Sequence, residues 1–362
     1  MTEDTPGTHF QTAHRLRQAD ARELDEADAA ELVLTSPPYP LVGMWDADFG
    51  AMSPAAAQAL ERGEGAAAFE AMHLELDRVW RACFRALVPG GFCCINIGDA
   101  ARSLGEQFSL WPNHARILTA CQQIGFTVLP DILWRKPTNA PNKFMGSGML
   151  PAGAYVTYEH EYVLILRKGG PRRFSPAQAQ RRRQSAFFWE ERNLWFSDVW
   201  SDLRGTRQEG GLPGQERSGS FPIELAARLI AMYSLYEDRV IDPFGGLGTT
   251  ALAAAMAGRS SLSVEWSAER VRIARSRLAQ APALGRERQQ ARLEAHRRFV
   301  SDRLRAGKTL AHHNAPHDVP VITGQERALR LMVPIEVELD DPGALVRHGP
   351  LPPPSAPELP IS

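Results

Sequence analysis

Cysteine is scarce. Four residues among 362 (Cys83, Cys93, Cys94 and Cys121) form no CxxC pair and have no histidine at zinc-like spacing, which argues against a disulfide framework or a metal site and leaves core thiols. Long apolar runs are missing too. Nothing approaches the ~20 residues a bilayer requires, and the opening MTEDTPGTHFQTAHR has neither the basic start nor the apolar stretch of a secretory signal, so the expected location is cytoplasmic, away from membranes. Net charge is almost absent at −1, but the balance hides a patch: Arg167 to Arg183 holds seven Lys or Arg and no acid. Such a patch can meet a polyanion even when the whole chain is neutral.

What is present is ordinary globular material, 44% hydrophobic and 23% charged, in a chain longer than one typical domain. A strand is expected to reach Asp20, and another, Glu31 to Leu34, ends at the prolines of LTSPPYP. Leu41 to Gly65 lacks a sustained period and reads as a lid with about one helical turn, anchored by Met44 and Trp45. Met72, Leu76, Val79, Cys83 and Leu87 recur at three- and four-residue intervals, which predicts an amphipathic helix over 69–87 stopped by Pro89-Gly90-Gly91. The strand FCCINIG, a helix over 110–124 and strands over 127–134 and 158–166 follow. After an Arg-rich and aromatic stretch, helices over 222–233, 249–256 and 268–280 alternate with strands over 239–242 and 261–265. Strands alternating with helices predict an α/β fold, with a mainly parallel, doubly wound sheet covered on both faces.

Two short segments carry chemistry. In Val240 to Ala251, VIDPFGGLGTTA, a strand runs through a glycine turn into a helix. Gly246, Gly248 and Ala251 fit GxGxxA, and Glu265 stands 19 residues after Gly246 at the end of the next strand, where an acid can accept from ribose hydroxyls. A nucleoside cofactor follows, and ATP is disfavoured because Thr249-Thr250 replace the lysine of a P-loop. This loop alone allows either a dinucleotide or S-adenosylmethionine. The second segment is Ser36-Pro37-Pro38-Tyr39, which on its own could be no more than a stiff turn after a strand.

Together, in this order, the segments resemble the β class of amino-DNA methyltransferases. These carry a catalytic [S/D/N]PP[Y/F] first and a DPFxGxGTT cofactor loop second, on a circularly permuted Rossmann-like fold. LVPGGFCCINIGDA, ILWRKPTNAPN and YEHEYVLILRKG also look like that family, over about residues 15 to 280. One departure is Arg217-Ser218-Gly219-Ser220-Phe221-Pro222, where the family often has HPAxFP, so no role passes to that histidine. The resemblance implies a catalytic half over 1–166, an inserted target-recognition region over 167–220, a cofactor half over 221–280 and a basic helical extension with a Pro-rich tail over 281–362. It also implies S-adenosylmethionine held by Asp20, Phe221, Asp242, Phe244, Gly246, Gly248, Thr249 and Glu265, and double-stranded DNA as substrate. A restriction endonuclease acting on the same site would be a natural companion. Arg172, Arg173, Arg181, Arg182 and Arg183 are the expected phosphate contacts.

An exocyclic amine is a poor nucleophile because its lone pair is delocalised into the ring. Two acceptors aimed at its N–H bonds favour a tetrahedral nitrogen and free that pair. Ser36 Oγ and the Pro37 carbonyl can be those acceptors, Pro38 stiffens the turn, and Tyr39 offers a ring on which a flipped base can stack. No Pro-Cys motif suggests attack on ring carbon. Asp99 is one candidate for receiving the released proton. A serine in the first motif position is associated in this family with cytosine N4 more often than aspartate is, so N4-methylcytosine is the expected product and N6-methyladenine the alternative. A dinucleotide-dependent oxidoreductase fits the glycine loop but leaves LTSPPYP unexplained.

Overall fold

The computed structural model describes residues 9–105, 107–136, 145–205 and 221–352. The expectations that fall on 137–144, on 206–220 with Arg217, and on the Pro-rich end from 353 lie outside the described residues. Eleven strands form one sheet: β1 (Phe10–Gln18), β2 (Ala30–Thr35), β3 (Leu87–Ile97), β4 (Phe126–Val128), β5 (Ile132–Arg135), β6 (His160–Lys168), β7 (Val199–Trp200), β8 (Arg239–Asp242), β9 (Ser260–Glu265), β10 (Met332–Asp340) and β11 (Gly343–Pro350). Their spatial order is β7-β5-β6-β3-β2-β8-β9-β1-β11-β10, with β4 beside β6. The middle five, β3 to β1, are all parallel. Antiparallel strands flank them on both sides.

Helices cover both faces because side chains alternate along each strand. Val33, Cys93 and Ile95 pack with α3 (Gly65–Ala86) and α4 (Asn113–Ile124) on one face. Leu32, Leu34 and Cys94 pack with α7 (Ile223–Tyr233) and α8 (Thr249–Ala257) on the other. All four cysteines are buried and free, and burial pushes their thiols up, so they are core groups and not nucleophiles.

Two expectations change. The 41–65 lid is more helical than its sequence suggested: α1 (Asp46–Met52) buries Phe49 completely, and Ser53 caps α2 (Pro54–Glu61) by accepting from the Ala56 N–H at 3.3 Å. Trp45 packs on the main core, whereas Met44 is exposed. The region after 281 is also more than a helix and a tail. α10 (Ala281–Arg305) leads to β10 and β11, and β11 joins the main sheet beside β1. Between β6 and β7, α5 (Pro176–Gln184) and α6 (Trp189–Trp195) connect two sheet strands, and α9 (Ala268–Arg277) follows β9.

Candidate active site

Adjacent parallel strands bring the two segments together. β2 ends in Ser36-Pro37-Pro38-Tyr39, and its neighbour β8 ends in Asp242 and the glycine turn. From there β2 connects onward to β3 on one side and β8 to β9 on the other, so the loops flank the crevice where strand connections diverge, the usual ligand position in open α/β sheets. A hydrogen bond joins them: Thr35 Oγ1 donates to Asp242 Oδ1 at 2.7 Å. Asp242 also accepts from the Phe244 N–H at 3.0 Å. Burial dominates its titration and raises it to about 6, against the pull of Thr250 and Thr35.

Around the SPPY turn the donor and acceptor roles follow from chemistry. The Glu161 carboxylate can only accept, so Tyr39 spends its single O–H on Glu161 Oε2 at 3.0 Å. The Tyr39 oxygen then accepts from Asn96 Nδ2 at 2.8 Å and from Ser36 Oγ–H at 3.1 Å. Ser36 therefore turns its hydrogen inward and keeps acceptor capacity for an incoming N–H. Asn96 gives its second amide hydrogen to Glu161 Oε2 at 2.7 Å, and Lys136 Nζ holds Oε1 at 2.6 Å. Asn96, Glu161 and Lys136 come from the neighbouring elements β3, β6 and the end of β5, and none was expected from sequence. Leu41, buried with φ +60°, closes the turn in left-handed backbone, an unusual state for leucine.

Tyr39 itself requires a correction. Its ring is only 7% exposed, and Gly98 backs it so closely that a Cβ there would stand 3.0 Å from Cε2. It is a wall of the turn and not an open stacking platform. Burial, then the charge of Glu161, raises its phenol well above the ordinary value. Pro37 is buried and Pro38 half-buried beside it.

The glycine turn can admit a nucleoside. Gly246 (φ +52°) and Gly248 (φ +78°) adopt backbone that favours glycine. A Cβ on Gly248 would lie 2.7 Å from that of Ala274, so the close packing of α8 on α9 needs its absence, while above Gly246 the nearest atom is 3.8 Å away. Glu265 accepts from the Gly246 N–H and the Ser267 N–H, both at 3.0 Å, which steadies the loop and leaves further lone pairs on each oxygen. Asp20 is held by Arg22 through both oxygens, at 2.6–3.0 Å; burial alone would raise its titration, but Arg22 overcomes this and the net shift is downward. Phe244 stands edge-on to Trp80 at 6.2 Å, and Phe221 and Thr249 are buried. The acids, the open backbone and the aromatic side chain suit a cofactor with a ribose and an amine.

Asp99 is not available as a base. Its carboxylate, 1% exposed, takes both His114 Nδ1 at 2.7 Å and the His114 N–H at 3.0 Å. The expected DNA contacts change more. Arg172 grips Asp238 at 2.5 and 3.0 Å and Glu31 at 3.5 Å, residues at the amino ends of β8 and β2. Arg181 pairs with Glu237 there, and Arg182 lies over Phe174. Arg173 and Arg183 are on the same segment. Antiparallel β6 has carried the chain to the far rim, ~20 Å from the SPPY turn at the ~3.3 Å rise of a strand residue. The cations at the catalytic rim are instead Arg135 and Lys136 after β5 and Arg204 after β7, with Arg135 and Arg204 exposed. Their only sequence signal was a basic pair directly after a strand, in ILWRKP.

Comparison with known proteins places these features. The N6_N4_Mtase family, described as DNA methylase, matches residues 30–276. Type II methyltransferase M.MthZI of Methanothermobacter thermautotrophicus is 44% identical over 331 residues, covering 90% of this chain and 92% of that one. Type II methyltransferase M.MjaI of Methanocaldococcus jannaschii is 43% identical over 267 residues, covering 70% and 87%. Among solved structures, a DNA modification methylase of Thermus thermophilus, TTHA0409, in complex with S-adenosyl-L-methionine is 35% identical, with a TM-score of 0.58 over 74% of this chain and 94% of that one.

Proposed function

We propose, from the premise that this chain belongs to the N6/N4 DNA methylase family, that it methylates the exocyclic N4 of a cytosine flipped out of double-stranded DNA. The chain is thereby a DNA amino-methyltransferase, and the oxidoreductase alternative falls away. The observation that carries the reading is the Thr35–Asp242 bond, which locks an amine-binding turn to a nucleoside-binding turn at one crevice. When bound, S-adenosylmethionine supplies an electrophilic methyl group. Gly246, Gly248, Phe244, Glu265 and Asp20 would hold it, with Asp242, Thr249 and Phe221 shaping the loop from behind.

The residues of the turn do the rest. Ser36 Oγ and the Pro37 carbonyl accept the two amine hydrogens, which draws the nitrogen toward tetrahedral geometry and frees its lone pair. Tyr39 fixes Ser36 in its accepting orientation. A neutral acceptor in the first motif position supports cytosine over adenine. Arg135, Lys136 and Arg204 supply phosphate contacts on the rim from which the base enters. The Type II relatives support a restriction endonuclease of the same specificity as its functional companion.

Nucleoside mass spectrometry of DNA from a host expressing the protein tests this. N4-methylcytosine is expected, and it should vanish with Ser36→Ala while S-adenosylmethionine binding persists. N6-methyladenine without N4-methylcytosine would replace the proposal by its adenine counterpart.

A further inference from the structure

We propose that Glu161 is the terminal acceptor of the proton shed by the target amine, reached through the hydroxyls of Ser36 and Tyr39. The inference rests on the amino-methylation reading above and adds a step to it. As the N–CH3 bond forms, the bond from methyl to sulfonium breaks and the positive charge passes to the base. One N–H bond must then break, its electron pair staying on nitrogen. Ser36 cannot keep that proton, because an ordinary hydroxyl is a very weak base.

The hydrogen-bond order provides the exit. Ser36 Oγ takes the amine proton and gives its own to Tyr39 Oη across 3.1 Å. Tyr39 passes its hydrogen to Glu161 Oε2 across 3.0 Å. Both hydroxyls end neutral, the base ends neutral and methylated, and Glu161 ends as a carboxylic acid. Tyr39 never has to stand as a phenolate, which its buried setting disfavours. The other carboxylates nearby are committed: Asp99 to His114, Asp242 to Thr35 and Phe244, and Glu265 to two backbone N–H groups.

The groups facing Glu161 suit the task. Lys136 on the β5 side balances its charge, Asn96 on β3 donates to it, and Tyr39 and Tyr158 are the phenols that feel that charge. Lys136 is 37% exposed, so the proton can leave to water along its side.

The test is single-turnover methylation of duplex DNA as a function of pH, with Glu161→Gln, which preserves shape but cannot accept the proton, and Tyr39→Phe, which cuts the line in the middle. Both should slow transfer by about 10²-fold or more. The acid-side fall of the wild-type rate should disappear in Glu161→Gln, and acetate should partly rescue Glu161→Ala. S-adenosylmethionine binding by calorimetry should be unchanged. A Glu161→Gln rate within about threefold of wild type, or an intact acid limb, would overturn the relay, and Tyr39→Phe decides the matter if the glutamine variant does not fold. Wild-type protein that methylates no amine would instead overturn the underlying reading.

Discussion

At the scale of single residues, Asp242 pulls in two directions. It ties the catalytic strand to the cofactor loop, yet its carboxylate is 4% exposed and its titration is raised from 3.8 to about 6, chiefly by burial. Because the folded state binds this proton more tightly than the unfolded chain, the contribution to stability is full below about pH 4 and is lost as pH rises through about 6. Asp242→Asn removes the titration. The stability of wild type relative to this variant should therefore fall between about pH 4 and pH 7.5, by up to roughly 3 kcal/mol for a shift of about two units. Urea unfolding at the two pH values measures it, and a difference independent of pH would show that Asp242 is ionised without penalty. Asp242 was legible in the sequence because DPFGGLGTT is local: a single run of consecutive residues determines the turn. Asn96, Glu161 and Lys136 were not, since three separate strands bring them to Tyr39 and no spacing along the chain encodes that meeting.

Among the elements, the β10–β11 hairpin was the one that composition concealed. MVPIEVELD alternates Ile335, Val337 and Leu339 with Glu336 and Glu338, the period of a strand. The proline inside it and the Pro-rich end beyond it suggested a tail instead. The hairpin docks through a buried polar cluster: Thr12 Oγ1 meets His348 Nε2 at 2.8 Å and His14 Nε2 at 3.0 Å, and His14 Nδ1 meets Ser261 Oγ at 2.9 Å. Burial lowers both histidines to about 3, so they are neutral in the fold. An unfolded histidine titrates near 6.5, so this docking is fully stabilising above that pH and weakens as pH falls from 6.5 toward 3. Amide hydrogen exchange should show β11 and β1 losing protection on acidification before the β2–β8 centre does. Equal loss everywhere would mean that the histidines do not govern the edge. The same scale explains the arginine-rich stretch: its charges were plain in the sequence, but the antiparallel course of β6 decided which rim they reach.

For the whole molecule, the assignment of rims becomes a statement about salt. Each phosphate contact contributes ~0.9 to the slope of log affinity against log salt. Arg135→Ala and Arg204→Ala should each reduce the slope for duplex binding by about 1, whereas Arg182→Ala and Arg183→Ala should leave it unchanged. Fluorescence anisotropy over a salt series measures this, and the reverse pattern would put DNA on the amino-end rim. β1 carries a further consequence. It bonds to β9 on one side and β11 on the other, and its contacts join residues 247 and 336 positions apart. During synthesis at ~5–20 residues per second, the first strand made waits on the order of tens of seconds for its first neighbour. Until then both of its edges are open to misassembly with other nascent chains, and chaperone demand should be greatest in that interval. Arg15 and Arg17, which alternate with the buried Thr12, His14 and Leu16, are charges of the kind that discourage such premature pairing.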